Sequence, residues 1–241
     1  MRVVVVGGGG RLGQLIIARA ALEGHEATAV GRHDNLEQRL KRHSDDSVVV
    51  DVATPGSTAQ HVASCLVQGV PLVIGTTGLS SADQAAIDDA ARSIPVLVAA
   101  NLSPGAHLVA LLATMAAKAM PDADVEIVEV HHRKKKDAPS GTALMLAKAV
   151  EQARGSARIV TAREGVALRE PGDIGVVAVR GGDVVGEHTV GFFVDGERVE
   201  LVHKVSDRGI FAKGALQAAR FLVGKAPGRY QMSEVLQASL H

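Results

Sequence analysis

The strongest constraint on this chain is a glycine run set between a strand and a helix. Val3–Val6 is continuously apolar, as a strand buried on both faces is. Gly7-Gly8-Gly9-Gly10-Arg11-Leu12-Gly13 follows at once, and Leu12–Leu22 has a helical pattern. The glycines fit G-x-x-G-x-x-G. A side chain there would hold a pyrophosphate away from the helix N-terminus, where free amides and the macrodipole favour an anion. A glycine run alone also suits a tight turn. The strand–loop–helix setting favours a dinucleotide, with Gly7, Gly10, Arg11, Leu12 and Gly13 as contacts.

The alternation then repeats. Strands are expected at Glu26–Val30, Val48–Val52, Pro71–Ile74 and Ile94–Val98, and helices at Leu36–Arg42, Ser57–Gln68 and Ser81–Arg92. This predicts a parallel sheet with helices on both faces. Past residue 100 the pattern changes. Leu108–Met120 and Thr142–Ala153 read as helices, Val125–Val130 as a strand, and Gly155–Gly172 as an irregular, charged stretch. Ile174–Arg180, Glu187–Phe193 and Arg198–Lys204 read as strands, the last two joined by the hairpin signal Asp195-Gly196. Phe211–Val223 is an amphipathic helix before a short tail. The expected fold is α/β: an N-terminal Rossmann-like parallel sheet domain plus a C-terminal α+β domain with a mixed or antiparallel sheet.

Bulk properties exclude other classes. A hydrophobic fraction of 46% is ample for a packed core, and 26 basic residues balance 26 acidic ones. Neither a nucleic acid nor a membrane surface is implied as partner. Aromatics, at 2%, are too scarce for a base-stacking surface. Cys65 is the single cysteine, so no intrachain disulfide forms, and it reads as a small core residue. The apolar run at the N-terminus is too short for a signal peptide, and no stretch is long enough to span a bilayer. A soluble cytoplasmic protein is expected.

Three segments complete the candidate cofactor site. At the end of the second strand, Val30-Gly31-Arg32-His33-Asp34 places glycine where a ribose-binding acid is usual. Arg32 is suited to the 2′-phosphate of NADP; the alternatives are a solvated Arg32 with Asp34 on the ribose. Gly75-Thr76-Thr77-Gly78 and Asn101-Leu102-Ser103 end later strands, where ligands gather in such sheets. Ordinary turn and cap chemistry, with Ser103 before Pro104, would explain them equally.

The chemistry of the second half concentrates in Glu129-Val130-His131-His132-Arg133-Lys134-Lys135-Lys136-Asp137-Ala138-Pro139-Ser140-Gly141-Thr142-Ala143. Histidine titrates at about 6.5 when unperturbed, so it can donate a proton near neutrality. The lysines offer charge for an anionic substrate. Pro139 and Ser140 suit a helix start that turns the Gly141 and Thr142 amides toward an anion. The bland alternatives are a solvated lysine loop, and a strand on which His131 and His132 point opposite ways. Neither HExxH nor a cysteine pair is present, so no metal site is expected.

Taken together these motifs resemble the dihydrodipicolinate reductases, now described as 4-hydroxy-tetrahydrodipicolinate reductases. The resemblance continues through Arg180-Gly181-Gly182, Gly186-Glu187-His188-Thr189 and His203-Lys204 and so covers nearly the whole chain. It implies a dinucleotide-binding domain over residues 1–103, a substrate-binding and oligomerisation domain over 104–211, two hinges, and a tail, 212–241, returning to the first domain. It implies NAD(P)H-dependent reduction of 4-hydroxy-tetrahydrodipicolinate, with protonation and loss of water, in lysine and diaminopimelate biosynthesis. His131 matches the proposed general acid, Lys135 the second catalytic cation, and His132 a substrate contact. Gly141 and Thr142 match the binders of a substrate carboxylate. On the cofactor side the match covers Gly75, Thr76, Thr77, Asn101 and Ser103. A homotetramer built through the substrate-domain sheets is implied. NADPH is expected in preference to NADH, because Gly31 stands where many members carry an acid. Leu102 stands where many carry an aromatic, which bears on nicotinamide packing. Two other readings compete: an aspartate dehydrogenase-like oxidoreductase, which leaves the Asp137–Thr142 turn unexplained, and a nonenzymatic NADP-binding sensor, which has no need of His131 and Lys135.

Overall fold

The computed structural model describes residues 1–41, 44–155 and 157–239. The elements run β1 (Arg2–Val6), α1 (Arg11–Leu22), β2 (Glu26–Val30), α2 (Leu36–Leu40), β3 (Ser47–Asp51), α3 (Thr58–Gln68), β4 (Leu72–Ile74), α4 (Ser81–Ala90), β5 (Pro95–Val98) and α5 (Pro104–Ala119). They continue β6 (Asp124–His131), α6 (Gly141–Arg154), β7 (Arg158–Val160), β8 (Asp173–Arg180), β9 (Gly186–Val194), β10 (Glu197–Val205), α7 (Gly209–Leu222), β11 (Gly228–Tyr230) and α8 (Met232–Ala238). Two compact units result: Met1–Pro104 with Arg208–His241, and Gly105–Asp207. Among the described residues no helix is long and apolar enough to cross a membrane.

The first unit is an all-parallel sheet of order β11-β5-β4-β3-β1-β2. The inner strands carry long apolar runs, such as Val3–Val6 of β1, because both faces are covered, while the edge strands β2 and β11 carry Glu26, Thr28 and Arg229. Val3 and Val5 of β1 join one core with Ile16 and Ala20 of α1 and with Ala212, Ala215 and Leu216 of α7. Val4 and Val6 join the other, with Leu36 and Leu40 of α2, Val62 and Cys65 of α3, and Ile87 of α4. Alternate side chains of one strand therefore serve two cores. In α7, Ala212, Gly214, Ala215, Ala218 and Ala219 are all buried, small enough for the helix to lie close on the sheet and against α1. β11 then pairs with β5 as an edge strand.

The second unit is a mixed sheet of order β10-β9-β6-β8-β7, antiparallel at β10–β9 and β9–β6, parallel at β6–β8 and β8–β7. Val125, Ile127, Ile174, Val176, Val190 and Phe192 turn to one face and pack against Ala113 of α5 and Leu146, Ala147 and Val150 of α6. The opposite face is open. There Val177, Val128, Thr189 and Val202 form a row across four strands, with the three valines 39–50% exposed.

Both the parallel and the mixed sheet expected from the sequence are present, but three details differ. β7 lies within the stretch read as irregular, and β11 and α8 lie within the stretch read as a short tail; three-residue strands and a seven-residue helix carry too little periodicity to stand out. α5 starts at Pro104, four residues before the expected helix, because proline at a first helical position needs no amide partner. The helix expected to reach Arg42 is described to Leu40, and Arg42 lies outside the described residues.

Candidate active site

In the first unit the strand order changes direction between β1 and β3, which opens the ligand crevice at the carboxyl ends of those strands. The glycine loop occupies that place. Gly7 has φ +80°, and a Cβ on Gly13 would lie 2.3 Å from the Gly7 carbonyl oxygen. These two glycines let the loop fold against its own helix. Gly9 differs: a Cβ there meets nothing within 4 Å, so it borders open space. Gly10 is the N-cap of α1 and supplies no side-chain cap, leaving the helix start to an external acceptor. Arg11 is exposed beside it, while the Leu12 side chain packs on the core. The group fits a dinucleotide pyrophosphate.

The neighbouring segments divide between lining and support. Thr76 is buried, and its hydroxyl donates to Asp51 Oδ1 at 2.9 Å, so its backbone is what remains for a ligand. Thr77 is exposed. Gly75 anchors the segment by donating its amide to the Asp51 carbonyl at 2.8 Å. Asn101 Oδ1 accepts the Ser103 amide at 2.7 Å; Ser103 is fully buried, and Leu102 lies in the core. After β2, Asp34 Oδ2 accepts the Gly31 amide at 2.8 Å, which closes the turn and leaves Arg32 exposed at its tip.

In the second unit, the covered face of β6 runs Val125, Ile127, Glu129, His131. The apolar stripe thus ends in a carboxylate with no exposed surface and a buried imidazole. Register sets Ala178 and His188 beside Glu129, and Arg180 beside His131. Glu129 gathers four hydrogen bonds. Arg180 donates Nη1 to Oε2 and Nη2 to Oε1, each at 2.8 Å. His131 Nδ1 lies 2.5 Å from Oε2, and the Ser140 amide donates to Oε1 at 2.9 Å. Burial pushes the Glu129 carboxyl up, but the guanidinium, imidazole and amide outweigh it and hold the group below its ordinary value. Burial lowers His131; the Glu129 carboxylate works against that, while Lys135 and Arg180 reinforce it.

His188 packs edge-on to His131, with ring centres 5.2 Å apart, and its Nε2 is 3.1 Å from Ser140 Oγ. Burial, with His131 beside it, brings His188 down to about 4, so it is neutral at pH 7. His203 stacks on its other side at 6.3 Å.

The lysine-bearing loop is tied down along its length. The His132 amide donates to the Val184 carbonyl at 2.8 Å and the Gly181 amide to the His131 carbonyl at 2.9 Å. Lys135 Nζ pairs with Asp137 Oδ2 at 2.9 Å, and Arg180 Nη2 donates to the Asp137 carbonyl at 2.6 Å. Arg133, Lys134 and Lys136 are exposed, as solvated loop residues are. Ser140 caps α6 by accepting the Ala143 amide at 3.1 Å, and Gly141 and Thr142 open that helix with Gly141 exposed. His131 is the last residue of β6 and His132 the first beyond it, so strand alternation does not fix where His132 points. His131, Lys135 and the start of α6 are therefore joined through Glu129, Arg180 and Asp137.

Sequence reasoning assigned no role to Glu129, Arg180, His188 or Asp51. Glu129 did leave a signal, a charge on the period-two apolar stripe of β6. The pairing of His188 with Glu129 depends on sheet register, which one sequence does not reveal. Asp51, fully buried at the end of β3, accepts from Thr76 and the Ala53 amide and contacts His61 Nδ1 at 2.9 Å.

Known proteins carry the same architecture. Residues 1–102 match the family model for the dihydrodipicolinate reductase N-terminus, and residues 105–236 the model for its C-terminus. The 4-hydroxy-tetrahydrodipicolinate reductase of Thiobacillus denitrificans is 42% identical, over 98% of each chain. That of Rubrobacter xylanophilus is 40% identical, over 99% of each. The solved dipicolinate-bound dihydrodipicolinate reductase from Paenisporosarcina sp. TG-14 superposes with a TM-score of 0.77 at 26% identity, covering 96% of this chain and 97% of that one. This chain belongs to the dihydrodipicolinate reductase family of oxidoreductases.

Proposed function

We propose that the protein reduces 4-hydroxy-tetrahydrodipicolinate to tetrahydrodipicolinate, in lysine and diaminopimelate biosynthesis in the cytoplasm, using NADPH in preference to NADH. The observation that carries this reading is the buried Glu129–His131 pair adjoining the start of α6. A reduced nicotinamide, when bound, supplies the hydride. One hydride and one proton enter and one water leaves, so the protein must hold a proton donor beside an anion site.

His131 fills the first need. Its Nδ1 is engaged with Glu129, so Nε2 is the nitrogen that gives up the proton. Burial disfavours the imidazolium in the free protein, and a dianionic substrate raises it again on arrival. Lys135, held by Asp137, supplies a cation for the carboxylates and for charge developing in the transition state. Gly141 and Thr142 bind a carboxylate at the helix start, with His132 as a further substrate contact. The dipicolinate in the relative's structure has the dicarboxylate chemistry this arrangement suits.

In the first unit, Gly7, Gly10, Arg11, Leu12 and Gly13 cradle the pyrophosphate, while Gly75, Thr76, Thr77, Asn101 and Ser103 shape the nicotinamide end. Arg32 pairs with the 2′-phosphate. The open face of the second sheet, with Val128, Val177 and Val202, supports assembly as a homotetramer through these sheets. A coupled assay with freshly generated 4-hydroxy-tetrahydrodipicolinate, following NADPH loss, tests the reaction. Absence of substrate-dependent NADPH loss overturns it. Light scattering tests the assembly.

A further inference from the structure

Glu129 stands where a core residue belongs. It continues the stripe of Val125 and Ile127 and has no exposed surface. An ionised carboxylate is unfavourable there unless its oxygens are fully met. Here they are, and the four donors divide in an informative way. Oε1 takes the Ser140 amide at the head of α6, Oε2 faces His131 Nδ1, and Arg180 spans both. One side chain thus connects the proton donor to the helix start that bears Gly141 and Thr142.

We infer that Glu129 is the positioning residue for His131: it fixes the imidazole as the Nδ1–H tautomer, aims Nε2 along the Gly186 edge, and sets the pH range over which the proton is held. This rests on the reductase reading above. An ionised carboxylate only accepts, so the nitrogen facing it must carry hydrogen. Nε2 is then protonated only in the imidazolium, the form a proton donor needs. Gly186 keeps that nitrogen unobstructed, since a Cβ there would lie 3.0 Å from Nε2 and 3.4 Å from Cδ2.

The charged and titratable groups around His131 are Glu129 on its own strand, Lys135 in the following loop, Arg180 on β8 and His188 on β9. Lys135 and Arg180 oppose protonation, and buried His188 stays neutral. Asp137 is engaged with Lys135. Glu129 is, among these, the group that favours the imidazolium. A staple between strand and loop would need only Arg180 and Ser140, and the imidazole would be superfluous to it.

Two measurements test the inference. Nitrogen-15 NMR reads the tautomer and titration of His131 in the wild-type protein, its signal identified by loss in His131→Gln. Rate profiles against pH, with separate kcat and KM, compare wild type with Glu129→Gln and Glu129→Asp. The wild type should show the Nδ1–H tautomer above its titration. Glu129→Gln should move that titration down by about one pH unit, the scale of one neighbouring charge, and carry the alkaline fall in kcat with it. Its kcat at neutral pH should drop about ten- to a hundredfold, part of what a positioned acid contributes, with KM much less affected. Glu129→Asp, which keeps the charge, should restore the pH profile more fully than it restores kcat. An Nε2–H tautomer in the wild type overturns the inference. So does a Glu129→Gln variant whose loss of kcat is uniform across pH. The expected tautomer in the wild type and the expected titration shift in Glu129→Gln, with no turnover of hydroxy-tetrahydrodipicolinate by the wild type, would uphold the positioning and sink the reductase reading instead.

Discussion

The loop after β1 and the loop after β6 solve the same problem in opposite ways. Each leads from a strand into a helix whose first turn is proposed to bind an anion. After β1 the solution is steric: Gly7 and Gly13 fold the loop against its helix, Gly9 borders open space, and Gly10 leaves α1 without a side-chain cap. After β6 it is electrostatic: Ser140 caps α6, and the loop is held by Glu129, Arg180 and the Lys135–Asp137 pair. The first loop needs the absence of atoms. The second holds charges in fixed positions, as the proposed proton transfer would require and the proposed binding of a pyrophosphate would not.

The largest effect should come from removing the charges. His131→Gln or Lys135→Ala is expected to lower kcat by about 10²-fold or more, the usual scale for a positioned acid, while NADPH affinity by fluorescence titration stays near wild type. Both belong to the second unit and the glycine loop to the first, which motivates this. A matched loss of NADPH affinity would break the contrast and point to a structural role.

The steric loop should fail differently. In Gly13→Ala the new methyl meets the Gly7 carbonyl at 2.3 Å, backbone that cannot swing aside. Urea unfolding should show a loss of about 1–3 kcal/mol, the cost of overpacking, with weaker NADPH binding. Gly9→Ala should fold normally and lose only cofactor affinity, since its methyl enters open space. Equal destabilisation by both would show that open space at Gly9 has no special meaning.

The same distinction explains what was legible in the sequence. The steric device announces itself, because glycines between an apolar run and a helical pattern have few other uses. The parallel sheet follows from Val3–Val6 and its successors for the same local reason. The charged device was only half legible. His131, Lys135 and the Ser140–Thr142 helix start lie within one short segment and could be read together. Arg180 and His188 reach Glu129 from other strands, through a register set by long-range packing. Asp51 was hidden likewise, since its partners Thr76 and His61 come from a later loop and helix. Short elements such as β7 and β11 exist because a neighbouring strand offers them an edge, and no local pattern encodes that.

In cofactor choice the first unit is proposed to use charge as well. Gly31 removes the usual acid, Arg32 is exposed at the turn, and Asp34 Oδ2 is engaged with the Gly31 amide. A preference for NADPH over NADH of roughly tenfold to a hundredfold is expected, the size of a charge-assisted bond. Arg32→Ala should remove most of it, as measured by kcat/KM with each cofactor. Equal values in the wild type, or an unchanged preference in the variant, would return the ribose role to Asp34.

The smallest effect should be a difference in salt dependence. Arg32 is exposed and, among the described residues, makes no ion pair, so its attraction for a 2′-phosphate is open to screening. Lys135 is already paired with Asp137, and its side chain is only 20% exposed. Charges so placed are screened less than exposed ones. Pyridine-2,6-dicarboxylate should inhibit competitively with substrate, its inhibition constant rising by only about threefold between about 0.05 and 0.5 M salt, where the Debye length falls from roughly 14 to 4 Å. The KM for NADPH should rise more steeply over the same range, and that for NADH hardly at all. A dicarboxylate slope as steep as that of NADPH would mean that the second loop binds through loose surface charge, and that its ordered ion pairs serve only to hold the fold. No inhibition even at low salt would remove the carboxylate site at Gly141 and Thr142 altogether.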